Sequence, residues 1–187
     1  MILRKISKAK LKIILEKHEK WLNNEPDGER ANLKSANLEF ANLEFANLEF
    51  ANLESANLKF ANLKSANLKF ANLKFANLKS AHLKSANLKS ANLESANLKF
   101  ANLEYANLKS AHLESANLKS ANLDFSCFPL WCGSFNIKVD ERLIWQLIAH
   151  ITRLDTKGCN KETKTAIKAI WKYRNKFCKY RTDVKEI

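Results

Sequence analysis

The chain has 187 residues, 46% of them hydrophobic, which is enough to bury a core, and its three Gly and two Pro exclude collagen-like and flexible-linker classes. Lys and Arg exceed Asp and Glu by 32 to 19, a formal charge of +13 that attracts polyanions without specifying a fold. Four cysteines, Cys127, Cys132, Cys159 and Cys178, form no C-x-x-C pair and have only His150 among them, so no metal or other cofactor is expected.

The first residues, Met1-Ile-Leu-Arg-Lys-Ile-Ser-Lys, are charged from position 4 onward and lack a continuous apolar run. No stretch approaches the eighteen or so apolar residues that a membrane span needs, and a cytoplasmic location is expected. From about Ser7 to Asn23 the pattern predicts a helix, with Ala9, Leu11, Ile14, Leu15, Trp21 and Leu22 at its apolar positions. Pro26-Asp27-Gly28 then predicts a turn, so residues 1–30 are expected to cap the segment that begins at Ala31.

Ala31 to Phe125 is nineteen consecutive pentads of the form Ala-Asn-Leu-(Lys/Glu/Asp)-(Ser/Phe/Tyr), broken in the first three positions only by His82 and His112 in place of Asn. On a continuous α-helix residues five apart sit about 140° out of line, so the leucines would spiral over every face. On a continuous strand an odd period sends successive leucines to opposite sides. A chain that turns once per pentad collects them, because Ala and Leu, two apart, share one side of a short extended piece. The prediction is a β-solenoid with Leu stacked on Leu, Ala in the narrower gaps, and Asn, the charged residue and the fifth residue facing outward. Each buried Leu contributes roughly 2 kcal/mol before ordering entropy is subtracted. The period leaves the number of sides open.

The run ANLKSANLEFANLEF resembles the pentapeptide-repeat family, whose tandem A-(D/N)-L-x-x pattern forms a right-handed quadrilateral β-helix. The segment HEKWLNNEPDGERANL also looks like the lead-in of phage-associated and bacterial members. The resemblance covers residues 31–125 and implies four pentads per coil, hence about five coils. It places the family's central inward position at Leu33, Leu38, Leu43, Leu48, Leu53, Leu58, Leu63, Leu68, Leu73, Leu78, Leu83, Leu88, Leu93, Leu98, Leu103, Leu108, Leu113, Leu118, Leu123 and Phe128. The small inward position falls at Ala31 and every fifth residue to Ala121, then Ser126.

The solenoid is expected to span 31–130, where SCFPLWCGSF breaks the repeat with Pro129 and Gly133. Residues 131–187 are expected to form a basic helical pair that caps this end. One helix is predicted from about Asp140 to Leu154, with Leu143, Leu147, Ile151 and Leu154 on one stripe. The second starts at Asn160 as N-cap and carries Ile167, Ile170, Trp171 and Phe177.

No catalytic set emerges. Ser recurs as a repeat letter, and His82 and His112 are six pentads apart, on opposite faces of a four-sided coil. Two outward letters carry information. Glu39, Glu44, Glu49 and Glu54 make one acidic coil, followed by Lys59, Lys64, Lys69, Lys74, Lys79, Lys84 and Lys89, nearly two coils of positive charge. Phe40, Phe50, Phe60 and Phe70, with Phe45, Phe75, Phe100, Tyr105 and Phe125, occupy the outward fifth position and at four pentads per coil would stack in short ladders.

The expected function is therefore non-enzymatic: a binding or scaffold protein acting through the outer faces of the solenoid, with a protein partner or self-association. An alternative is nucleic-acid binding through the Lys59 to Lys89 band and the basic C-terminal helices. The family resemblance adds modulation of DNA gyrase by DNA mimicry, which a net-positive coil disfavours. No small-molecule substrate is expected.

Overall fold

The computed structural model describes residues 3–127, 137–141, 143–145, 148 and 157–173. The chain divides into two compact units, Met1–Lys138 and Val139–Ile187.

The first unit is built on one repeated hydrogen-bond scheme, seen in full at 51–55. The Ala51 N–H donates to Leu48 O, closing a four-residue turn, and the Asn52 N–H donates back to Ala31 O. The Leu53 and Ser55 N–H groups donate forward to Asn72 O and Lys74 O. That leaves the Glu54 N–H, which donates to the side-chain Oδ1 of Asn52 at 3.1 Å. All five donors of the pentad are satisfied, as a chain folded in water-poor surroundings requires.

The turn has a cost. Every fifth residue from Ser35 to Phe125 is left-handed, with φ between 53° and 62°, and none is Gly. Such a conformation costs about 1 kcal/mol or more for a residue with a Cβ. The Asn acceptor and the inter-coil bonds on either side hold it in place.

Within the pentads, parallel bridges join Asn32 to Asn52, Asn37 to Asn57 and so on, twenty residues apart, so four pentads make one turn of the solenoid. Four outward columns result. They run Asn32-Asn52-Asn72-Asn92-His112, Asn37-Asn57-Asn77-Asn97-Asn117, Asn42-Asn62-His82-Asn102-Asn122 and Asn47-Asn67-Asn87-Asn107-Cys127. Inside, all leucines from Leu33 to Leu123 are buried. Phe128 lies outside the described residues. Beyond the pentads Lys138 pairs with Asn117, extending the second column.

At the N-terminal end, a short strand β1 (Arg4–Lys5) pairs in parallel with β2 (Ala36–Asn37). Helix α1 (Lys8–Leu22) begins at Ser7, whose Oγ accepts from the Lys10 N–H, and ends at Asn23. Its docking residue is His18, fully buried, with Nδ1 accepting from the Ala31 N–H at 3.1 Å. The imidazole stacks on Trp21 at 5.6 Å, and Trp21 meets Phe50 edge-on at 6.3 Å.

In the second unit, Asp140 Oδ1 accepts from the Leu143 N–H, and residues 141, 143–145 and 148 are helical. Leu143 is buried, whereas Leu147, Ile151 and Leu154 lie outside the described residues. Helix α2 (Lys161–Trp171) is capped by Asn160, whose Oδ1 accepts from the Thr163 N–H at 2.8 Å. None of its residues is buried; Ile167 and Ile170 are half-buried and Trp171 is exposed. Phe177 lies outside the described residues. Among the described residues no helix is long and apolar enough to cross a membrane.

Candidate interaction surface

The solenoid turns a linear list of charges into four axial columns, and the columns differ. On the Asn32 face the sign alternates over the first four coils: Lys34 pairs with Glu54 at 3.0 Å and Lys74 with Glu94 at 2.8 Å. The Asn42 face pairs Lys64 with Glu44 at 3.1 Å and Lys84 with Glu104 at 3.0 Å. On the Asn37 and Asn47 faces only the first step is paired, Lys59 to Glu39 at 3.4 Å and Lys69 to Glu49 at 2.9 Å.

The run Lys59 to Lys89 is thus not one band of free charge. Lys59, Lys64, Lys69, Lys74 and Lys84 each meet a Glu one coil away. Among the described residues Lys79 and Lys89 have no ion pair, because their axial neighbours are lysines. The Glu39 to Glu54 coil is likewise consumed in pairing. Its carboxylates are held by Asn side chains as well: Asn62 Nδ2 donates to Glu44 Oε2 at 3.0 Å and Asn67 Nδ2 to Glu49 Oε2 at 3.0 Å. The Lys64 and Lys69 ammonium groups, through these contacts, hold the Glu44 and Glu49 carboxyls below their usual range.

The aromatic columns face solvent. Phe40 stacks on Phe60 at 5.1 Å, Phe50 on Phe70 at 4.9 Å and Tyr105 on Phe125 at 4.9 Å. Phe40 is 69% exposed, while Phe60 and Phe70 are each 42% exposed. Lysine ammoniums lie over several of these rings, Lys59 over Phe60 at 4.7 Å and Lys69 over Phe70 at 4.8 Å. Ser and Phe adopt the same left-handed backbone at this position, so the ring is not what the turn requires.

His82 and His112 fall in different columns, and no group of three or more His, Cys, Asp or Glu fit to hold a metal occurs among the described residues. Cys127 and Cys159 are free thiols. The feature that sequence reasoning missed is His18. Its only signal was a histidine beside Trp21 on a helix that must close an apolar coil end.

A parallel solenoid with a leucine interior, a fixed four-pentad coil and variable outward letters is a repeat scaffold. The chain belongs to the pentapeptide-repeat family: the model for pentapeptide repeats matches residues 31–69, 66–99 and 96–129, in eight copies. Proteins of this family form right-handed β-helices. The chain is similar to the solved structure of Rfr23 from the cyanobacterium Cyanothece 51142, at 30% identity over 70% of this chain and 96% of that one, with a TM-score of 0.56. A pentapeptide repeat protein from Nostoc PCC 7120, alr5209, is 32% identical over 67% and 93% of the two chains, with a TM-score of 0.42. One from the Arabidopsis thaliana thylakoid lumen is 28% identical over 51% and 70%, with a TM-score of 0.42. A search of curated proteins returns no match.

Proposed function

We propose that this protein is a non-catalytic scaffold that binds protein, another subunit or a second copy of itself, through the outer faces of a β-helix of about five coils. In this reading residues 1–30 close one end, 31–130 carry the binding faces and 131–187 are a basic helical region. The observation that carries it is the set of stacked, solvent-facing aromatics, Phe40 on Phe60 and Phe50 on Phe70, held on a backbone that does not need them. Exposed rings fixed in rows on a stiff lattice present apolar area at little entropic cost, as interface cores do.

DNA mimicry draws no support from the charge columns, since Glu39, Glu44, Glu49 and Glu54 are each bound to a lysine. The test is a photo-crosslinking phenylalanine analogue placed at Phe60 and at Phe70 in turn, combined with the mass of the purified chain in solution. Discrete crosslinks to one protein, or to a second copy, are expected at one or both positions. A monomer that gives none at either position overturns the reading.

A further inference from the structure

The Asn37 face, like the Asn47 face, departs from the lysine–glutamate pairing of the Asn32 and Asn42 faces, and its run of lysines is the longer. Its charge letters, from the N-terminal coil onward, are Glu39, Lys59, Lys79, Lys99 and Lys119. Glu39 neutralises Lys59. The next three lysines stack on one another with a rise of about 4.8 Å per coil and, among the described residues, without an acidic partner. Lys138, in register with Asn117, adds a further exposed charge beside the end of the column. Like charges directly opposite one another in a sheet are destabilising. The Asn32 face shows that the same repeat accommodates alternation, with Lys34 on Glu54 and Lys74 on Glu94. The Asn37 face thus keeps a repulsion that a single Glu would remove.

We propose that this column is a docking strip for an α-helix that carries a stripe of carboxylates, laid along the solenoid axis. This rests on the scaffold reading and names its partner chemistry. Acidic residues three or four apart on a helix recur about every 5.4 Å along its axis. Against a coil rise of about 4.8 Å, the mismatch from Lys79 to Lys119 accumulates to only about 1 Å. A lysine stem absorbs that by rotamer choice. Phe60, one coil before Lys79, and Phe100, beside the middle lysine Lys99, are both solvent-facing on the same face and offer apolar contact to the docked helix. Lys99 already lies over the Phe100 ring at 4.8 Å, which orients its ammonium outward beside that contact. A duplex fits less well: its phosphates follow strands that wind away from a straight column.

The experiment is a titration of the full chain with a labelled helical peptide bearing Glu at every third or fourth position. It is repeated with a peptide of the same composition in scrambled order and with single- and double-stranded oligonucleotides. The variant carries Lys79→Gln, Lys99→Gln and Lys119→Gln. Its control carries Lys34→Gln, Lys74→Gln and Lys84→Gln, the same change of charge at lysines that are already paired. The expected result is at least a tenfold loss of peptide affinity in the first variant, less than threefold in the control, and weaker binding of the scrambled peptide. Equal losses in both variants would reduce the effect to net charge and overturn the proposal, as would tighter, column-dependent binding of an oligonucleotide. The scaffold reading survives either outcome if crosslinks form from Phe70, on a different face. Far-UV circular dichroism establishes that each variant keeps its fold.

Discussion

The Lys69 ammonium sits 2.9 Å from Glu49, twenty residues earlier in the chain and directly beneath it on the solenoid. That one distance sets the rule for the whole surface: a charged residue answers to the pentad four before it and the pentad four after it. Neighbours in sequence face different sides. Charge pairing along the solenoid is organised in steps of twenty residues.

Placing an acid in the lysine column should stabilise the protein. Lys99→Glu sets a carboxylate between Lys79 and Lys119, the position that Glu54 already has between Lys34 and Lys74 on the Asn32 face. The expected gain is about 0.5–1 kcal/mol, or about 1–4 °C in Tm, and it should shrink in high salt. The same variant should lose affinity for an acidic helix. Thermal unfolding at low and high salt reads the first effect and peptide titration the second. A fall in Tm would mean that the lysines do not repel one another.

The asparagine letter should matter through a single hydrogen bond. Asn72 Oδ1 accepts from the Lys74 N–H at 3.1 Å, the one donor of its pentad that no backbone carbonyl reaches. Asn72→Ala removes the acceptor and should cost about 1 kcal/mol. His82→Asn runs the other way, supplying an acceptor within its column where the repeat lacks one, and should gain about half as much. Urea unfolding of both variants gives the comparison. The idea fails if Asn72→Ala is silent.

Acid should act in two steps. Burial pushes the His18 pKa below its ordinary 6.5, outweighing the Glu49 backbone carbonyl and the Glu19 carboxylate, which pull it up, while Arg30 pushes it down. A base whose folded pKa is depressed stabilises the fold above its unfolded value and loses that contribution as pH falls. Below about pH 6.5, therefore, the docking of α1 should weaken, and Trp21, stacked on His18, should report it by fluorescence. The second step lies below about pH 4.5. There Glu44 and Glu49, whose carboxyls are held low by Lys64 and Lys69, take up protons and release their axial pairs. His18→Gln should abolish the first step and leave the second.

The interior of this fold was legible because period five defeats both straight conformations, and only a chain turning at each pentad can gather Leu33 to Leu123. Its surface was legible letter by letter but not in arrangement. Lys59 to Lys89 reads as a band along the sequence, yet five of those seven lysines lie against a glutamate that only the coil brings near. The role of Asn escaped for a similar reason. An outward polar residue looks like filler until the donors of a pentad are counted and one is found without a backbone acceptor. β1 was hidden because two residues, Arg4 and Lys5, carry no strand pattern; what makes them a strand is the open edge at Ala36 and Asn37.

The N-terminal closure should fail at a single atom. Gly28 lies flat on the last turn of α1, and a Cβ there would sit 2.5 Å from the Trp21 nitrogen, 2.6 Å from its Cα and 2.8 Å from the Lys20 carbonyl carbon. All three are backbone atoms, so no rotamer relieves the clash and the loop must lift. With it would go the Glu29 N–H bond to Lys17 O and the 2.7 Å ion pair between Lys17 and Glu29. Gly28→Ala is expected to cost about 2–3 kcal/mol. Gly158→Ala is the matched control, because nothing lies within 4 Å of its added Cβ. Repeat proteins gain stability from neighbour to neighbour, so a loosened end should fray first while the inner coils persist. Hydrogen exchange should then rise at Asn32 to Asn47 before it rises at the later coils. The Trp21 fluorescence step below pH 6.5 should also vanish, since His18 would be hydrated at every pH. Unchanged exchange in the first coil, together with a retained acid step, would show that α1 does not depend on this contact.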